Sequence, residues 1–295
     1  MSAGALAAAL GDALGRPVAR LEPVTGGDLN DAYAATLEDG ERVFVKGSAS
    51  AAPGAFASEA AGLRWLAEPA AIGVPDVLAV ADAPAVAPAA GPRFLALRWL
   101  DAGPLTPAAE EALGRGLAAL HAAGAPVFGA PAEQLHIGPL TLPNAPAPDW
   151  AAFYATRRLE PLARLAAERG ALPHQAPALL RRVVARLPDL AGPPEPPARV
   201  HGDLWAGNVL IDRDERPWLI DPAAHGGHRE LDLAMLRLFG GPGERCFAAY
   251  EEAAPLQPGA PDRVALWQLA PLLLHAALFG AAWGDRATAI LRRYA

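Results

Sequence analysis

Lysine and cysteine are nearly missing: the 295 residues hold one of each, Lys46 and Cys246. A single cysteine excludes an intrachain disulfide framework and any cysteine-based zinc cluster, and it fits a reducing compartment. Basic charge is not in excess. The net charge of −7 and a pI near 5.5 leave no bulk cationic surface for nucleic acid. Long apolar runs are also lacking. The best candidate, 266–279, is interrupted by Gln268, Pro271 and His275 and falls short of the roughly 18–20 residues that a bilayer span needs. The alanine-rich start has no basic n-region and meets Asp12 early, so it reads as an amphipathic helix rather than a signal peptide. Charged residues make up 19% of the chain against 52% hydrophobic, enough to bury a core. A soluble cytoplasmic protein is expected, without membrane or nucleic-acid partners.

Against these absences the one lysine stands out, because the other 24 basic residues are arginine. Together with abundant alanine and 31 prolines, this looks like a compositional bias that replaced lysine wherever arginine serves. A lysine kept under that bias marks a position where a guanidinium, with its different shape and hydration, cannot substitute.

The pattern along the chain changes character once. A helix is expected over 2–15, then strands over 17–24, 32–37 and 42–46, with turns at Gly26-Gly27 and Glu38-Asp39-Gly40. A helix around 56–68 and strands over 77–80 and 94–100 follow. After Pro107 the periodicity is helical over 108–123, 150–169 and 177–187, with proline-rich links at 126–148 and 188–198, and again from 230 to the end. The break near 101–105 predicts an α+β protein of two lobes. One is a small antiparallel sheet lobe with one inserted helix, 1–101; the other is a larger, mainly helical lobe, 102–295, with a ligand cleft between them.

Between the helices lies a polar stretch, 201–228, with two short apolar runs at 209–211 and 218–220. Asp203 and Asn208 are five apart, and Asp221 follows thirteen after Asn208. A hairpin between the last two brings them to one point and leaves Asp203 on the preceding loop. That supplies a base and two hard oxygen ligands, the set that positions a hydroxyl and Mg²⁺ beside a nucleotide phosphate. The spacing matches the catalytic-loop Asp, metal-binding Asn and second metal Asp of kinases. The same template asks for a strand lysine and a helix carboxylate, which Lys46 and Glu59 provide thirteen residues apart. Gly26 and Gly27 would form the turn over the phosphates. There is no G-x-x-x-x-G-K-[ST], so a P-loop is excluded.

Several segments together resemble the fructosamine/ketosamine kinase family of protein-kinase-like small-molecule phosphotransferases. They are Gly26-Gly27-Asp28-Leu29-Asn30, Phe44-Val45-Lys46, Glu59-Ala60-Ala61-Gly62-Leu63, His201-Gly202-Asp203-Leu204-Trp205-Ala206-Gly207-Asn208, Asp221-Pro222-Ala223, and Gly227-His228-Arg229-Glu230 running into Asp232-Leu233-Ala234-Met235. The resemblance implies a protein-kinase-like fold and ATP-dependent phosphorylation of the 3-hydroxyl of ketosamines, the sugar adducts of small amines or protein lysines. By the same resemblance Asp203 is the catalytic group, Asn208 and Asp221 hold Mg²⁺, and Lys46, supported by Glu59, binds the α- and β-phosphates. Leu97 and Trp99 belong to a hinge that meets adenine through its backbone. Trp205 and His228 face the acceptor, while His201 and Asp232 brace the loop. Arg98 departs from the family's frequent acidic hinge residue, and His225 from its aromatic one. A monomer is the default. Two rival readings remain: an aminoglycoside- or choline-type phosphotransferase, and a nucleotide-binding pseudokinase scaffold. The intact set of five polar residues argues against the scaffold, and in the C-terminal helices the only clustered acidic pair for a cationic acceptor, Glu251-Glu252, reads as a solvated helix face.

Overall fold

A computed structural model describes residues 2–24, 31–48, 51–82, 91–129 and 134–295. Gly26 and Gly27 lie outside the described residues.

The chain begins with α1 (Ala3–Leu14), opened by the Ser2 side chain accepting the Ala5 N–H. Strands β1 (Val18–Pro23), β2 (Asp31–Leu37) and β3 (Arg42–Gly47) follow as a meander. Helix α2 (Ala55–Ala67) comes next, then β4 (Val77–Ala81) and β5 (Phe94–Arg98). The five strands form one antiparallel sheet in the order β1-β2-β3-β5-β4. Alternation along β3 decides its two faces. Val43 and Val45 point to the α1 side, where Leu6 and Leu10 cover them. Phe44 and Lys46 point the other way, toward α2. Four apolar residues of α2, Phe56, Ala60, Leu63 and Leu66, recur at helical spacing and are buried, which seats the helix on that second face.

Helices dominate the remainder. Helix α3 (Pro107–Ala122) is capped by Thr106, whose hydroxyl accepts the Ala109 N–H. A hairpin of β6 (Gln134–Ile137) and β7 (Leu140–Pro143) then leads to α4 (Trp150–Phe153), a π-helical turn (Tyr154–Leu159) and α5 (Glu160–Glu168). After α6 (Ala176–Leu190) come four short strands: β8 (Ala198–Val200), β9 (Val209–Ile211), β10 (Pro217–Leu219) and β11 (His225–Gly227). They pair as β9 with β10 and β8 with β11. Helices α7 (Glu230–Leu238), α8 (Glu244–Ala253), α9 (Ala260–Trp267), α10 (Leu269–Phe279) and α11 (Ala281–Tyr294) complete the chain. The expected antiparallel sheet with one inserted helix, ahead of a mainly helical portion, is what folds. Among the described residues no helix is long and apolar enough to cross a membrane.

Three details differ from the sequence expectation. The β6–β7 hairpin occupies part of a stretch read as a proline-rich link. Of its two prolines Pro139 sits in the turn and Pro143 ends β7, so neither interrupts a strand, while Leu135, Leu140 and Leu142 alternate inward. The helix expected over 150–169 is broken by the π turn. Strands β8 and β11, three residues each, are too short to announce themselves by period.

A shared core joins the sheet portion to the helices: Leu63, Leu97, Leu113, Leu204 and Leu219 belong to one buried cluster. The backbone reinforces it, since Gly73 N–H donates to Pro217 O at 3.1 Å and Leu219 N–H to Gly73 O at 2.8 Å. Arg98 now has an account: its guanidinium lies 5.3 Å from the Trp218 ring centre and 3.9 Å from Asp76, tying the end of β5 to β10.

Glu230 is buried at the start of α7, with Arg263 Nε at 2.9 Å, Arg263 Nη2 at 2.5 Å and Trp267 Nε1 at 2.8 Å. Removing the guanidinium strands the carboxylate in an apolar setting, so Arg263→Met is expected to lower unfolding free energy by about 3–5 kcal/mol in urea titrations. Arg263→Met combined with Glu230→Met should recover most of that loss; a double variant as weak as the single would refute the account.

Candidate active site

Lys46 sits near the end of β3, 7% exposed, and its ammonium is held by two carboxylates. Nζ donates to Glu59 Oε1 of α2 at 2.8 Å and also to Asp221 Oδ1, 175 residues away in sequence. Burial works against the positive charge, yet Glu59 and Asp221 outweigh it and hold the ammonium's pKa above its ordinary value. For Glu59 burial dominates: its pKa is raised, with Lys46 opposing and Asp221 adding to the rise. Asp221 lies two residues beyond the end of β10 and adopts φ +57°, a left-handed conformation that Asp tolerates better than most residues.

The loop before β9 carries Asp203 and Asn208. Asn208 is buried, and its amide nitrogen donates to Asp203 O at 2.8 Å and to Asp203 Oδ2 at 3.3 Å. Ile220 N–H donates to Asn208 O at 3.1 Å, which ties this loop to the residue before Asp221. The β9–β10 hairpin thus brings Asn208 and Asp221 to neighbouring strand ends. Asp203's carboxyl is pushed up to about 7, first by burial and then by repulsion from Asp221, with Asn208 pulling down and Asp232 adding a little.

Asp232 and His201 brace this loop. The wholly buried Asp232 accepts the His201 N–H at 2.7 Å and the Gly202 N–H at 2.9 Å, and contacts His121 Nε2 at 3.2 Å. Burial opposes its charge, but the His121 hydrogen bond and the neighbouring donors hold its pKa below the usual carboxylate value. His201 Nε2 is 2.8 Å from Ile220 O, and its Nδ1 accepts the Asp203 N–H at 3.3 Å. Gly202 adopts φ +82°, and a Cβ there would collide with the Ala223 carbonyl, so the loop cannot carry a side chain at this point. His121, which no motif in the sequence singles out, completes the brace through Tyr250 Oη at 2.8 Å.

Trp205 is one of the few exposed large hydrophobic residues, at 37%. Its ring covers Gly207, where any Cβ would strike it, and meets Phe239 edge-on at 6.3 Å. The ring is therefore presented at the surface, two residues along the loop from Asp203, rather than packed in the core. Trp99 lies just beyond β5, with Arg42 stacked at 3.7 Å and Phe44 at 6.4 Å, while Leu97 is buried inside β5. His228 stands apart from the group. Its ring stacks on Trp267 at 5.5 Å, lies 6.2 Å from Trp150, and its Nε2 is 3.8 Å from Glu195. His225 is buried against Phe153 at 5.3 Å; burial and then Arg158 drive its pKa down to about 3, so it is neutral.

No cluster of three or more His, Cys, Asp or Glu side chains suited to a metal occurs among the described residues. The donors here are different: the Asn208 carbonyl oxygen, left over once its nitrogen is committed, and the Asp221 carboxylate. Two hard oxygens suit Mg²⁺, which keeps phosphate oxygens and waters for its other positions.

A lysine–glutamate pair on a sheet and helix, facing an Asp/Asn/Asp set on a braced loop and hairpin, defines a protein-kinase-like phosphotransferase. The family model described as Fructosamine kinase matches residues 3–295, and the chain belongs to that family. A "probable ketoamine kinase" of Synechocystis is 36% identical over 274 residues, covering 92% of this chain and 88% of its own. The crystal structure of a "putative fructosamine-3-kinase" from Thermobifida fusca superposes with a TM-score of 0.90 at 44% identity, covering 99% of this chain and 98% of its own. An aminoglycoside phosphotransferase structure, at 20% identity and a TM-score of 0.66 with both chains fully covered, shares the fold.

Proposed function

We propose that the protein is an ATP-dependent ketosamine 3-kinase. The observation that carries this reading is the bridge of Lys46 to both Glu59 and Asp221, because it closes the nucleotide-binding half of a kinase site onto its catalytic half.

In this reading Lys46 binds the α- and β-phosphates, and Glu59 holds it in place. The segment from Leu97 to Trp99 meets adenine. Asn208 and Asp221 would hold Mg²⁺, which when bound neutralises charge on the phosphate oxygens. The sugar 3-hydroxyl sits at Asp203. Its oxygen bonds to the γ-phosphorus, the bond from that phosphorus to the β,γ-bridging oxygen breaks, ADP leaves, and the hydroxyl proton passes to the Asp203 carboxylate. Asp232 and His201 keep the carboxylate in position through the loop backbone. Trp205, exposed two residues along the loop from Asp203, stacks on the sugar, whose CH faces suit an indole.

The test is ATP consumption with Mg²⁺ over a panel of ribulosamine, fructosamine, aminoglycoside and choline acceptors. Turnover that depends on a ketosamine is the expected result. Turnover with aminoglycosides alone would replace this reading, and Mg-ATP binding without turnover of any acceptor would favour a scaffold.

A further inference from the structure

One buried charge is left over. Arg158 sits on the π turn, 4% exposed, and it lines the same cavity as Gly202 and Asp203. No carboxylate pairs with it among the described residues. Its Nη1 donates to Pro143 O at 2.9 Å and Arg157 O at 3.0 Å, its Nη2 donates to Asn144 Oδ1 at 2.8 Å, and its guanidinium lies 4.6 Å from the Phe153 ring. These acceptors are neutral. They fix the group without neutralising it. Burial lowers its pKa to about 9, against a smaller opposing effect of Tyr154 and with Arg157 adding repulsion, so the guanidinium is still a cation at neutral pH. Two of its five N–H donors, Nε–H and one on Nη2, have no partner among the described residues. Nε is not one of the sealed, unpartnered polar atoms, which are Asp82 Oδ1, Trp150 Nε1 and His225 Nε2. The Nε–Nη2 edge of a guanidinium is the one that grips a carboxylate side-on.

A buried, uncompensated cation is unfavourable unless something negative arrives. The remaining walls of the cavity are mostly apolar, with Ile137, Leu142, Leu162 and Leu274 among them. They offer little to a polyol and much to a hydrocarbon side chain. The π turn supplies the local reason for the geometry: the extra residue in that turn breaks the α-helical register of the segment that carries Tyr154 and Arg158.

We propose that Arg158 anchors a carboxylate on the acceptor, and that the preferred substrates are ketosamines formed on the amino group of a free, apolar α-amino acid. This rests on the ketosamine-kinase reading above and narrows its substrate class. With the sugar hydroxyl at Asp203, the carboxylate reaches Arg158 and the amino-acid side chain lies on the leucines. A sugar phosphate presents related anionic chemistry but needs more donors than one guanidinium edge offers.

The experiment compares the ribulosamine of leucine with the ribulosamine of leucinamide at fixed, saturating Mg-ATP. Loss of a charge-assisted hydrogen bond should lower kcat/KM for the amide about 10- to 100-fold, through KM rather than kcat. In Arg158→Met that ratio should collapse toward one, and Arg158→Lys should restore part of it. A third acceptor, the leucinamide adduct phosphorylated at the sugar 5-position, separates the two anions; if it is preferred over the leucine adduct, the carboxylate assignment is overturned. The wild-type comparison stands even if Arg158→Met fails to fold. Equal kcat/KM for the acid and the amide would overturn the role of Arg158 while leaving the ketosamine reading intact. Turnover of neither adduct would overturn both.

Discussion

Asp203→Asn is expected to lower kcat with a ketosamine acceptor by about 10²–10⁴-fold while Mg-ATP still binds. Positioned proton acceptance contributes on that scale, and the amide keeps the shape of the carboxylate but cannot take the hydroxyl proton. A stability measurement on the nucleotide- and metal-free protein separates this role from a structural one. The Asp203 carboxyl has a native pKa of about 7, above the ordinary 3.8, because it is buried and faces Asp221. A carboxyl with a raised native pKa contributes stability that is complete below its unfolded pKa and is lost as the pH climbs through the native one. Between about pH 4 and pH 7 the wild type therefore loses what the neutral amide keeps. Asp203→Asn should melt close to the wild type at pH 4 and above it at pH 8. A variant that is inactive and also less stable at pH 8 would mean that Asp203 holds the loop together rather than acting on substrate.

Legibility in the sequence followed the physics of each signal. The sheet meander, α2 and the β9–β10 hairpin were visible because alternation, helical spacing and turn residues coincided in segments such as Arg42–Gly47 and Ala55–Ala67. The grouping of Lys46 with Glu59 rested on two facts that need no coordinates, the single lysine and a carboxylate on the next helix. What the sequence could not display were charges satisfied at long range. His121 gave no local cue to its contact with Asp232, and the Glu230–Arg263 pair spans 33 residues. Arg158 was hidden among 24 arginines, and what sets it apart, burial without a carboxylate partner among the described residues, is a property of three-dimensional packing.

The same scarcity that exposed Lys46 gives the second large effect. Lys46→Arg is expected to lose at least about 10²-fold in kcat/KM for ATP, even though the charge is kept, on the scale of removing one preorganised donor from a transferring group. The ammonium is compact and sits between Glu59 and Asp221; a planar guanidinium is longer and demands in-plane partners, so it must displace one of the two carboxylates or turn away from the phosphates. Lys46→Met loses activity at least as far and adds a stability defect, since it leaves Glu59 facing Asp221 without the cation between them. Removing one partner of a buried pair costs up to about 3–5 kcal/mol. That cost depends on pH, because Glu59 already has a raised pKa and can shed its charge by holding a proton as the pH falls. Urea midpoints for Lys46→Met should therefore approach the wild type in acid and separate from it toward pH 8, and adding Glu59→Gln should restore stability without restoring activity. Activity of Lys46→Arg within about threefold of the wild type, a difference of well under 1 kcal/mol, would show that the chain kept its only lysine for no reason connected with the nucleotide.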